Sequence, residues 1–85
     1  MDEKYVVIVA EGCPHCDFAV EYVKSMFKGK KVEVRDVTVD DEAAKIMMEL
    51  NEFRIPIVVR VEKKNGKTRI CLLDDEMKVE KCIDI

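Results

Sequence analysis

The spacing of apolar residues switches between strand and helix periods along the chain. Residues 5 to 10 (Tyr-Val-Val-Ile-Val-Ala) form an unbroken apolar, mostly β-branched run, which predicts a strand buried on both faces. After Cys13-Pro14-His15-Cys16 the period changes. Phe18, Tyr22 and Met26 recur at every fourth residue, with Ala19, Val23 and Phe27 beside them, so one broad helix face is predicted to be buried. Pro14 suits the first helical position, where its missing N–H costs nothing, and Lys28-Gly29 supplies a cation and a stop. Residues 31 to 37 alternate polar and apolar, which predicts a second strand. Residues 38 to 41 offer capping side chains, and Asp40, Asp41 and Glu42 put negative charge at the start of a second helix. Its buried side is expected to hold Ala43, Met47 and Leu50, near Ala44 and Ile46, with Asn51 ending it.

Residues 56 to 62 read as a third strand opened by Pro56, and Asn65-Gly66 is a strong hairpin signal leading into a fourth strand over residues 68 to 73. Residues 75 to 83 predict a short third helix, capped by Asp74 or Asp75 and burying Met77, Val79, Cys82 and Ile83. The expected order is therefore β-α-β-α-β-β-α, an α/β fold in one domain spanning residues 1–85. A chain this short buries only roughly 60–65% of its unfolded surface, enough for one core. Cys13-Pro14-His15-Cys16 falls at the carboxyl end of the first strand, the edge at which open α/β sheets place ligands and chemistry.

Charge and composition narrow the function classes. Fifteen Lys and Arg stand against 18 Asp and Glu, a net charge of −3 with the signs interspersed and no basic stripe, so no nucleic-acid partner is expected. No segment has the length or hydrophobicity of a membrane span or a signal-peptide core, so the expectation is a cytoplasmic protein without a membrane partner, a processed precursor being left open. Gln is absent and Asn occurs only at positions 51 and 65, a surface chemistry that suits a heat-adapted (thermophile) protein, in which intracellular disulfides are tolerated.

The four cysteines carry the candidate chemistry. Disulfide exchange needs an attacking thiolate and a second thiol that resolves the mixed disulfide. Cys13, expected at the helix N-cap among free N–H groups, is the candidate nucleophile, and Cys16, one turn further in, the resolver. Pro14 and His15 lie between them as candidate tuning residues, since a protonated His15 would favour the Cys13 thiolate. A metal-binding or carrier module, with Cys13 and Cys16 on Zn²⁺ or Cu⁺, stays open beside this; however, no second Cys/His pair follows at finger-like spacing, so no metal is assigned. Cys71 and Cys82 read equally as a second disulfide or as two small buried hydrophobes. The methionines at helical spacing read as core.

Two marks together, Cys13-Pro14-His15-Cys16 after a buried strand and Ile55-Pro56 before the hairpin, make the chain resemble the thioredoxin superfamily, by size its glutaredoxin-like branch. The resemblance implies a thioredoxin/glutaredoxin fold with a four-stranded mixed sheet flanked by three helices. It implies a protein disulfide oxidoreductase without a bound cofactor, acting as a monomer on disulfide-containing protein substrates and recycled by a reductase or a low-molecular-weight thiol. Ile55-Pro56 matches the family's cis-proline, which implies that the Ile55 backbone meets the substrate and that the proline keeps metal from the cysteines. The sequence departs from the family where glutathione is held: Glu11-Gly12 stand before the motif in place of a basic residue, and Leu72-Leu73-Asp74-Asp75 replace a Gly-Gly pair. An inactive thioredoxin-like binding module is the remaining alternative.

Overall fold

The computed structural model describes residues 2–85. Seven elements follow one another: β1 (Asp2–Val9), α1 (Cys16–Met26), β2 (Val32–Asp36), α2 (Asp41–Leu50), β3 (Ile57–Lys64), β4 (Lys67–Leu73) and β5 (Val79–Asp84). The strands make one mixed sheet in the order β2-β1-β3-β4-β5, with β1 and β2 parallel and every other pair antiparallel. The four-stranded sheet with three helices expected from the sequence is therefore corrected to five strands and two helices.

The correction lies wholly in the last fifteen residues. The segment expected to be a third helix makes a tight turn and then pairs along β4. Asp74 anchors the turn: its carboxylate accepts from the Glu76 and Lys78 amides, while its own N–H donates to the Lys78 carbonyl at 2.8 Å. Met77 takes a left-handed φ of 64° there, which a helix interior does not allow. A helix of nine residues is marginal by itself, whereas β5 adds a full ladder to an edge already formed. Cys82 stands directly opposite Cys71, and the two are bonded across the ladder, with Cα atoms 4.0 Å apart.

One helix covers each face of the sheet. On one face α2 sets Ala43, Ile46, Met47 and Leu50 against Val6, Ile8 and Val59, a cluster that Ile70 and Leu72 extend across β4. On the other, Val23 of α1 packs with Tyr5, Val7, Val58 and Leu73, and the Tyr5 and Phe27 rings stack at 3.8 Å. Unbroken burial from Tyr5 to Ile8 in β1 follows from this double cover. Asp40 caps α2 through the Glu42 and Ala43 amides, and Asn51 ends it at φ 53°.

Beyond β1, the β2 edge is tied down by charge. Glu33 accepts from Lys4 (3.1 Å) and from Arg35 (3.0 Å), and Arg35 also reaches Asp40 at 2.8 Å. Burial alone would push the Glu33 carboxyl up, but Lys4, Arg35 and Lys31 outweigh it and hold the group below its ordinary range. Arg35, followed by the Ala43 amide, lowers Asp40, and the Thr38 hydroxyl and amide lower Asp36. A carboxyl depressed in the folded chain contributes stability above its unfolded pKa of about 4 and loses it as pH falls through the lower native value. The urea midpoint is accordingly expected to hold from pH 7 to about 5 and to fall below about pH 4, less steeply in Arg35→Ala. An equal slope in that variant would remove this cluster from the acid response.

Candidate functional site

The β1 strand ends at Val9, and the chain turns through Gly12, whose φ is +81°, before entering Cys13-Pro14-His15-Cys16. The first residue of α1 is Cys16 and the N-cap is His15, with no hydrogen bond from its side chain. This moves the expected cap: Cys13 lies in the turn preceding the helix, its carbonyl accepting from the Cys16 amide at 3.5 Å. Backbone amides at the start of an α-helix lack intrahelical acceptors, so the positive end of α1 still lies directly after the motif. Cys13 and Cys16 are joined in a disulfide with Cα atoms 5.5 Å apart.

The two sulfurs differ in access. Cys16 is 5% exposed, whereas Cys13 is half-buried and His15 and Pro14 are exposed. A reagent from solution therefore meets Cys13 first.

Opposite the motif, the Ile55–Pro56 peptide bond is cis. Ile55 packs partly into the α2-side core, while Pro56 and His15 both line a groove of about 570 Å³. Val23, Val58 and Leu73 form part of the groove's apolar lining, and Met77 from the β4–β5 turn contributes to it. Phe18 and Tyr22 of α1 line it too, stacked in parallel with ring centroids 6.3 Å apart.

These aromatics correct a second expectation. The helical period assigns Phe18, Tyr22 and Met26 to the buried face of α1, but Phe18 is 76% exposed and the other two are also exposed. The other half of the expected face holds: Ala19, Val23 and Phe27 pack toward the sheet, joined by Val20. Phe18 and Tyr22 lie on the side of α1 that borders the groove, away from the residues packed on the sheet.

Cys71 and Cys82 line no part of the groove. Cys71 is buried and Cys82 exposed, on a strand rather than the expected helix, so its sulfur contributes to a cross-strand bond. Met77 is half-buried and Val79 exposed, in place of the burial in a helix expected for both; Ile83 is half-buried against the α2-side core. Among the described residues no three of His, Cys, Asp and Glu converge as they would to hold a metal ion, and all four cysteines are paired. No helix of the described residues is long and apolar enough to cross a membrane.

Sequence reasoning missed Phe18, Tyr22, Arg54 and the Asp74–Asp75 turn as parts of the site. The exposed pair had a signal, since an aromatic stripe reads as core only while something remains to cover it. No protein-family model matches this chain, and no curated protein sequence matches it.

Proposed function

We propose that the chain is a protein disulfide oxidoreductase of the thioredoxin-like kind, cycling Cys13 and Cys16 between dithiol and disulfide. The observation that carries this reading is the pair itself, bonded at a strand end before a helix N-terminus, with one sulfur accessible and the other buried. In the reduced protein the Cys13 thiolate attacks a substrate disulfide, forming a mixed disulfide and releasing one substrate thiolate, which takes up a proton. Cys16 then gives up its proton and attacks the Cys13 sulfur, closing the internal disulfide and releasing the second substrate thiol. Two electrons pass from the protein to the substrate, and a reductase or small thiol returns them. The reverse sequence oxidises a substrate dithiol. The cytoplasm is the compartment we assign, where the charged, Gln-free composition of a heat-adapted protein would tolerate both disulfides.

His15, exposed at the N-cap, sets the balance between the two directions. A positive charge at this position would favour the thiolate and so the reduced form. Equilibration against dithiothreitol and glutathione buffers is expected to give one two-electron potential for Cys13–Cys16, between about −270 mV for a reductant and about −120 mV for an oxidant. His15→Tyr should make it more negative by about 30 mV, the equivalent of about 1.4 kcal/mol. An unchanged potential would take His15 out of the mechanism. A pair that never cycles would end the oxidoreductase reading and direct attention to metal content.

A further inference from the structure

We infer that the groove beside Cys13–Cys16 selects protein disulfides flanked by an extended apolar segment bearing Lys or Arg, and disfavours anionic partners such as glutathione. This deepens the oxidoreductase reading and rests on it.

The first argument is charge. Asp74, Asp75 and Glu80 face a single guanidinium, Arg54, around the groove. Arg54 is already engaged by Glu52 at 2.8 Å and is held further in its charged form by Glu52, then by Glu80 and Asp75. Among the described residues none of the three groove carboxylates has a cation within ion-pair distance. Asp74 is committed to the turn amides, which leaves Asp75 and Glu80, both exposed, as the free charges. An anion entering here meets Asp75 and Glu80, while the one guanidinium is already engaged by Glu52. That leaves the exposed His15 ring as its sole basic contact, whereas a cation meets two carboxylates without an ion-pair partner. Such rim charge acts chiefly on encounter rate and on rejection of wrong partners.

The second argument is shape and surface. The floor is apolar, and beside it stand the stacked rings of Phe18, 76% exposed, and Tyr22, 38% exposed. Ring faces take aliphatic side chains and also attract Arg and Lys heads, so the same wall suits both halves of an apolar, cationic segment. Neither Cys13 nor Cys16 lines the groove, but His15, which stands between them in the chain, does, so a segment seated in it lies at the edge of the motif.

The test uses the reduced full chain and two peptides identical except for charge, each with a Cys-Gly-Gly-Cys disulfide followed by Leu-Lys-Leu-Lys or Leu-Glu-Leu-Glu. Rates of peptide reduction, read by acid quench and chromatography, are divided by the rate of the same peptide with neutral dithiothreitol, which removes intrinsic differences in the disulfides. At low salt the Lys peptide is expected to react about tenfold faster than the Glu peptide. In 0.5 M salt, and in the Asp75→Asn/Glu80→Gln double variant, the ratio should approach one. Equal rates at low salt, a preference for the Glu peptide, or a ratio that survives both salt and the double variant would overturn the groove assignment while leaving the oxidoreductase reading intact. If the double variant fails to fold, Asp75→Asn and Glu80→Gln taken singly decide the matter, each lowering the ratio, because salt also screens the net charge of −3. No reaction with either peptide would overturn both.

Discussion

Cys13→Ser is expected to abolish disulfide exchange, lowering the rate on the order of a thousandfold or more, because the accessible sulfur is then gone. Cys16, 5% exposed, cannot replace it as the point of first contact. Cys16→Ser should behave differently: Cys13 still attacks, but nothing resolves the adduct, and the mixed disulfide accumulates. Incubating each variant with a disulfide peptide and weighing the intact protein separates the two. A gain of one peptide mass is expected for Cys16→Ser and none for Cys13→Ser. The opposite pattern would exchange the two roles, and an adduct in neither would end the mechanism. Because Cys82 is exposed, both measurements are made with the Cys71–Cys82 bond intact, which keeps that sulfur out of the adduct count.

The largest expected loss of stability from a single substitution is at Leu50. Its side chain is 1% exposed at the end of α2, in the cluster that contains Val6, Ile8, Val59 and Leu72. Leu50→Ala removes three buried carbons and leaves a cavity among strand residues whose backbone is fixed by the ladder, so relaxation is limited. The expected cost is about 3 kcal/mol. A domain of this size has only about 4–13 kcal/mol in total, so the change is a large fraction of it. Urea unfolding with both disulfides intact should show the midpoint falling at an unchanged slope. A loss below about 1 kcal/mol would mean that α2 readjusts on the sheet to fill the space.

The first six elements were legible because each obeys one period. β1 reads as a strand covered on both faces, α2 shows its cap, its buried positions and its stop, and Asn65-Gly66 makes the expected hairpin with both residues at positive φ. The last element was not legible, for two physical reasons. Asp74 has the chemistry of a helix cap, a carboxylate accepting nearby amides, and a tight turn uses the same chemistry. The ladder between β4 and β5 also slips: Leu73 faces Val79 and Leu72 faces Lys81, so Glu80 is an extra residue that breaks the period-two pattern. Val79 and Ile83 are four residues apart, a spacing that fits one helix face as well as one strand face, so the apolar pattern alone did not decide the element.

The site was half legible. Cys13, Cys16 and His15 announced themselves by type and position, and Pro56 by the strand it precedes. The groove did not, because its wall of Asp74, Asp75, Met77 and Glu80 belongs to the turn and strand that the sequence pattern read as a helix.

The bond between Cys71 and Cys82 has a consequence for that opening. It closes residues 71 to 82 into a covalent macrocycle, and Asp74, Asp75, Met77 and Glu80, which form one wall of the groove, all lie within the ring. A wall confined in this way has fewer conformations to surrender when a partner settles against it, so less of the contact energy is spent on ordering it. Under the proposed oxidoreductase reading, the second pair of cysteines would thus preorganise the surface on which the first pair meets its substrate.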